Sequence, residues 1–262
     1  MQDVVWWFRR VPCRRSTVNR LNILSREKMN DLNVTTWFHP SVSVFRPANS
    51  VHGSSDIIHQ GDALHTDIGI TAFGLNTDTQ HLGYVLRSGE TDVPDGLKKG
   101  LRKSNRMQDI VLKNMAPGKT GNEVLTQSLE DMEKENISGK IYCHPIGDWG
   151  HAAGSLIGAS YPCRSRRRLN RILLWHLAGM TNLPNGVPVL GDLPILPKTY
   201  YSIELSASHF VKEWNVTIPF QQEEDVAWND QTKRWEWVWG RQELFHIVDT
   251  QRSQSLPLVI QQ

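Results

Sequence analysis

Two spacings of apolar residues alternate along the chain. From Asp95 to Met115, Leu97, Leu101, Ile110 and Val111 recur at helical spacing, and Pro117-Gly118 closes the stretch. Residues three and four apart share one helix face, so the spacing predicts a helix there. A second helix is predicted to open at Thr120, with Glu123 three residues on as a capping box, and to continue through Leu125, Leu129 and Met132. Further upstream, Val18 to Leu32 is the one stretch before Trp37 able to form a helix. Elsewhere the text reads as strands. GDALHTDIGITAFG and TQHLGYVLR lie on either side of Gly74-Leu75-Asn76 and predict two adjoining strands. Ile141 to His144 is a short strand. After a Pro- and Gly-rich passage from Pro184 to Pro197, YYSIELSASHFV is a strand, and VAWNDQTKRWEWVWGRQELFHIV is a hairpin turning near Asn229 to Lys233. Strands and helices mix without regular βαβ alternation. The expected class is therefore α+β with a largely antiparallel sheet.

At 262 residues the chain can bury a substantial core, and its 39% hydrophobic and 21% charged residues are ordinary for a globular protein. A net charge of +2 gives no reason to expect nucleic acid or membrane as partner. Cys13, Cys143 and Cys163 are an odd number at unrelated spacings. A disulfide framework is not expected, and a reducing, cytoplasmic compartment is. No apolar run is long enough to span a bilayer. The Arg-rich first 20 residues admit a transit segment, but Ser is sparse and Trp6-Trp7 is atypical of one.

The residues that carry chemistry are acids and a histidine inside apparent strands: Asp67, Asp78, Glu204, Glu243 and His144 in CHPIGDWGH. An ionised carboxylate in an apolar strand is costly unless it is paired or bound to a cation. Each of them alone could equally be an edge residue facing water; together they point to a metal centre. Trp235, Trp237 and Trp239 alternate along one strand face and are expected to pack a core rather than form a substrate cage. Cys143 is expected to be a packed strand residue. His65 and His81, beside the aspartates, are either supporting partners of the centre or surface residues.

The order Asp, Asp, His, Glu, Glu, the interval of 78 − 67 = 11 residues between the aspartates and the interval of 151 − 144 = 7 between the histidines resemble the pita-bread metallopeptidases. This family comprises methionine aminopeptidase, aminopeptidase P, prolidase and the metal-free creatinase. The resemblance runs from about Trp37 to Val248. HTDIGITAFGLNTDTQH and YCHPIGDWGH look most like an aminopeptidase P or prolidase relative. It implies a pita-bread fold with a curved antiparallel sheet and outer helices. It further implies two divalent metal ions held by Asp67, Asp78, His144, Glu204 and Glu243, with Asp78 and Glu243 bridging. Mn(II) is the expected ion, with Co(II) or Zn(II) as substitutes, because four carboxylates and one imidazole form a hard donor set. The implied roles are proton relay for Glu204, contact with substrate for His151, and further substrate binding for His52. The activity implied is hydrolysis of the N-terminal peptide bond of a small peptide by an aminopeptidase, with proline after the first residue as one option, or a dipeptidase. A homodimer is admitted. The alternative is an inactive remnant or binding module of the same fold; intact ligand types argue against metal-free chemistry.

Two features depart from the family. Only 36 residues precede Trp37, so residues 1–36 are expected to be a truncated or atypical N-terminal segment, 37–250 the catalytic domain and 251–262 a tail. The N-terminal part of the fold is accordingly expected to be incomplete. Second, Ala159 to Gly179 is an Arg-rich insert without an acid. Gly158-Ala159-Ser160 and Ala178-Gly179 can be encoded with splice-like donor and acceptor strings, and excision removes 179 − 158 = 21 codons in frame. The insert is therefore expected to be translated intron, the alternative being a basic amphipathic helix.

Overall fold

The computed structural model describes residues 16–148, 150–158 and 186–249. The insert, the tail 251–262 and residues 1–15, with the expectations placed on them, lie outside these residues. Helix α1 (Val18–Asp31) begins where expected because the Thr17 side chain accepts from the Arg20 backbone N–H, capping an otherwise unpaired donor. Strands β1 (Ser41–Phe45) and β2 (Ala63–Ile68) follow. A small hairpin of β3 (Thr71–Ala72) and β4 (Leu75–Asn76) then leads into β5 (Thr79–Val85). Helices α2 (Asp95–Asn114) and α3 (Gly121–Lys134) occupy the predicted ranges. The capping box at Thr120 is formed: its hydroxyl accepts from Glu123 N–H, and Glu123 accepts from Thr120 N–H.

Strands β6 (Ser138–Gly147), β7 (Gly150–His151), β8 (Ile157–Gly158), β9 (Tyr200–Val211), β10 (Val216–Asn229), β11 (Arg234–Trp237) and β12 (His246–Val248) complete the described elements. They form one curled sheet in the order β1-β2-β5-β10-β9-β6-β7; β11 adds to β10, β8 to β6 and β12 to β5. Every pairing is antiparallel except β12 with β5. The α+β class with a largely antiparallel curved sheet is thus what the chain adopts. Among the described residues no helix is long and apolar enough to cross a membrane.

Strand β9 is buried on both faces. Tyr201, Ile203, Leu205 and Ala207 point to the helix side and meet Leu97, Leu101, Met107 and Ile110 of α2 in the main core. Full burial of such a side chain contributes about 1.5–3 kcal/mol relative to exposure. A Cβ on Gly100 would lie 2.1 Å from the Phe220 ring, so a glycine in mid-helix lets α2 settle onto β10. The alternate residues Ser202, Glu204 and Ser206 are also buried, but on the other face. A period-two strand with an apolar row and a buried polar row must have something to place beside the polar row. Trp235 packs in the core as expected, whereas Trp239 lies beyond β11 and is mostly exposed. Cys143 is buried and free, and its thiol donates to the Glu204 carbonyl oxygen.

Candidate metal centre

Five strands supply the polar row. Asp67 lies in β2 and Asp78 one residue ahead of β5; Asp67 is in register with Gln80. Glu204 of β9 stands opposite Glu223 of β10, which is itself opposite Gln80 of β5. His144 of β6 pairs with Ser202 two residues from Glu204. Each chemical group therefore sits on the same face of its strand, and the curl of the sheet brings them into one concavity.

His144 is fully buried. Its Nδ1 lies 3.1 Å from the Pro145 carbonyl oxygen, which can only accept, so in the neutral ring Nδ1 carries the proton and Nε2 presents a lone pair. That Nε2 has no hydrogen-bond partner among the described residues. It faces Glu223 Oε1 at 3.3 Å, Asp78 Oδ2 at 3.8 Å and Glu204 Oε2 at 3.8 Å. Two sets of three residues have ligand atoms within 4.8 Å of one another and share Glu223: Asp67, Asp78 and Glu223, and His144, Glu204 and Glu223. A third set joins Asp78, His144 and His151.

This crowding is unfavourable by itself. Burial, and then the charge of Glu223, holds the Asp67 carboxyl well above the usual carboxylate range. Asp78 is raised by burial and then by Glu223, Asp67, Glu204 and Asp225. Glu204 is raised by burial, Glu223 and Asp67, against a hydrogen bond from Gln80 that favours its ionised form. An imidazole lone pair aimed at carboxylate oxygens is a repulsive arrangement that a divalent cation would reverse, and the hard, oxygen-rich donors fit such an ion. The residues present therefore suit a divalent metal.

His151 stands at the rim. It is exposed on β7, its ring 4.0 Å from that of His144 and 5.0 Å from Trp37, edge to face in both cases. Burial of part of the ring, then His144, pushes its pKa down to about 4 despite the opposing charge of Glu223. Trp37 is anchored by its indole N–H to the Thr77 carbonyl, 3.0 Å away. Gly150, with φ +80°, abuts it; a Cβ there would fall 2.2 Å from the indole ring, so this turn requires glycine for both reasons.

Of the residues singled out from the sequence, Asp67, Asp78, His144, Glu204 and His151 are brought together. Two are not. Glu243 has a largely exposed side chain (63%) and is engaged elsewhere: Arg241 Nε donates to it at 2.7 Å and Asn105 of α2 at 3.0 Å, on the helix side of the sheet. The fourth carboxylate of the cluster is Glu223. His52 stacks on His59 with ring centroids 3.5 Å apart, beyond the Asp62 end of β2. Asp67 lies five positions on from Asp62 along β2, roughly 16 Å at about 3.3 Å per residue. His65 and His81 are both buried, His65 on the site face and His81 on the helix face.

Glu223 had a readable signal in hairpin symmetry. Strands β9 and β10 turn at Lys212 to Asn215, and a hairpin centred there pairs 204 with 223. The turn uses Asn215 in the left-handed conformation (φ 51°) instead of the Gly or Pro that punctuates most turns.

With fold and geometry described, comparison places the class of molecule: a pita-bread fold. The X-Pro aminopeptidase of Thermotoga maritima superposes with a TM-score of 0.65 at 17% identity, over 94% of this chain and 59% of that one. The dipeptidase of Pyrococcus horikoshii gives 0.60 at 15%, over 94% and 57%. The methionine aminopeptidase of Rickettsia prowazekii gives 0.58 at 15%, covering 90% of both chains. The chain spans somewhat over half the length of the first two. No family model matches the chain, and no curated protein matches it.

Proposed function

We propose that the chain is a metal-dependent exopeptidase that hydrolyses the N-terminal peptide bond of small peptides, with Xaa-Pro peptides as the first substrates to try. The observation that carries this reading is the convergence of Asp67, Asp78, His144, Glu204 and Glu223 in a buried concavity, with Glu223 common to both ligand groups. Neighbours named as X-Pro aminopeptidase, dipeptidase and methionine aminopeptidase support a peptide as substrate. Asp67, Asp78 and Glu223 would hold one divalent cation and His144, Glu204 and Glu223 a second, Mn(II) in the first instance. When bound, such a pair supplies Lewis acidity and a water acidic enough to ionise near neutral pH.

The chain's own residues do the rest. Glu204 directs Oε2 toward His144 while Oε1 is tied to Gln80, so the free oxygen can take a proton from a water in the concavity and return it to the leaving amine. His151 is neutral at pH 7 because its pKa is pushed down to about 4, and a neutral imidazole can donate one N–H to a carbonyl oxygen without adding charge. Trp37 and Tyr142 flank its ring and limit its swing. Aminopeptidase and dipeptidase action are distinguished by incubating the purified chain with Mn(II) and a panel of Xaa-Pro dipeptides, longer Xaa-Pro peptides and Met-Xaa peptides. Release of the N-terminal residue is expected. Bound metal without hydrolysis of any member would leave a metal-binding module without turnover; a chain that takes up no metal would overturn the reading.

A further inference from the structure

Gln80 lies two residues after Asp78 and so projects to the same face of the sheet as the carboxylates. Its single amide nitrogen donates to Glu204 Oε1 at 2.8 Å and to Glu223 Oε2 at 2.6 Å, which uses both of its hydrogens. The other oxygen of each carboxylate faces His144: Glu204 Oε2 at 3.8 Å, and Glu223 Oε1 at 3.3 Å, which also accepts from the Ser202 hydroxyl at 2.5 Å. The amide thus holds one oxygen of each carboxylate and presents the other to the concavity. Its own orientation is set in turn. His65, two residues before Asp67 on β2, lies with Nε2 2.9 Å from Gln80 Oε1. A carbonyl oxygen can only accept, so His65 donates from Nε2, and this fixes which end of the amide meets the carboxylates. Gln80 and His65 are both buried.

We propose that His65 and Gln80 form a positioning relay for the metal centre, in which a neutral amide holds Glu204 and Glu223 at a fixed spacing without cancelling their charge. The choice of glutamine follows from the charge count. A lysine at this place would hold the two carboxylates more strongly, but its positive charge would compete with the cation they are to bind. A serine or threonine hydroxyl has one hydrogen and reaches one carboxylate. A glutamine supplies two hydrogens and no charge.

The inference rests on the reading of the concavity as a metal centre, and calorimetric titration of the full chain with Mn(II) tests both separately. In Gln80→Met, which keeps length and removes both donors, the Mn(II) affinity is expected to fall about 10- to 100-fold, the usual effect of losing a partner behind a ligand. Gln80→Lys is the opposing variant: the metal-free chain should melt higher than wild type while its Mn(II) affinity falls further than in Gln80→Met. A role in packing alone would not move those two readouts in opposite directions. His65→Phe should weaken Mn(II) binding, and His65→Gln, which retains a donor, should restore most of it. Thermal unfolding of each metal-free variant identifies any that fails to fold, and the remaining variants decide. Wild-type binding with affinities unchanged in the folded Gln80 and His65 variants would overturn the relay and leave the metal centre standing. Absence of Mn(II) binding in the wild type would overturn the metal centre and the relay with it.

Discussion

Glu223 and Glu224 are chain neighbours, both buried, and on opposite faces of β10. On the helix face, Glu224 is answered. His81 lies 2.8 Å from its Oε1, the Gln242 backbone N–H donates to the same oxygen at 2.9 Å, and His246 backs His81 at 3.1 Å. On the concave face, Glu223 accepts from Ser202 and Gln80, yet its remaining neighbours are the acids Asp67, Asp78, Glu204 and Asp225 and the Nε2 side of His144. One glutamate is in a cluster complete by itself; the other is in a cluster with excess negative charge. Burial is the same, so the difference lies in what each face is built to receive. A fold would not retain several raised carboxylates beside an unbonded imidazole nitrogen for stability alone, since paired polar groups of the kind seen one residue away are accessible to the same strand.

The sharpest break of this comparison is a pair of substitutions. Glu223→Gln is expected to abolish Mn(II) binding at both ligand groups and to cut kcat/KM on an Xaa-Pro peptide on the order of 10³-fold or more, as loss of a cation that stabilises the transition state by several kcal/mol requires. Glu243→Gln should leave both within about twofold, because its partners are Arg241 and Asn105 and its side chain is largely in water. A normal Glu223→Gln with an inactive Glu243→Gln would return the fifth ligand to Glu243.

Next in size is His151→Ala, expected to lower turnover about 10²- to 10³-fold, as removal of one donor to a developing oxyanion does. Mn(II) affinity should be nearly unchanged, since the His151 ring is exposed at the rim while His144 is fully buried. Loss of metal from this variant would show that the set joining Asp78, His144 and His151 is the one that holds it.

Much of this was written in local pattern. The α2 and α3 ranges, the Thr120 capping box and the strand carrying Asp67 follow from spacing and capping chemistry, which act over a few residues. Asp67, Asp78, His144 and Glu204 stood out as acids and a histidine among apolar neighbours. Glu223 did not, because the stretch QQEED is polar throughout and its burial comes from pairing with β5 and β9, contacts made 143 and 19 residues away in sequence. Which of two adjacent glutamates faces the concavity is decided by strand register, and register here depends on a turn at Asn215 with no glycine to mark it. Glu243 differs for the converse reason: QELFHIV reads as an apolar strand with a carboxylate inside it, but Glu243 lies between β11 and β12, where Arg241 and Asn105 of α2 engage it.

On the helix face, Glu224→Ala tests whether the two clusters are independent. The change leaves His81 and the Gln242 N–H without their acceptor in a buried setting, and should lower stability by about 1–3 kcal/mol in denaturant unfolding. Mn(II) affinity should stay within about threefold. A drop in affinity approaching that of Glu223→Gln would mean that the faces are coupled through β10 and that the contrast drawn between them does not hold.

The smallest expected effect concerns the outermost member of the helix-face cluster. Burial, and then His81, pushes the pKa of His246 down from the ordinary 6.5 to about 3. A base whose folded pKa is depressed takes up its proton first in the unfolded chain, so stability is lost as pH falls from about 6.5 toward about 3 and is complete above that window. The groups facing the ring are His81 and, through it, Glu224. A partly exposed imidazole recovers part of its hydration by swinging outward, so the loss over the window should be on the order of 1 kcal/mol, less than the full shift implies. His246→Gln removes this titration and should flatten the acid limb of stability between about pH 6.5 and pH 4, measured by denaturant unfolding of the metal-free chain at each pH. The same limb would stay as steep if the acid sensitivity came from elsewhere, and the helix-face cluster would then not be the self-contained unit that the comparison makes it.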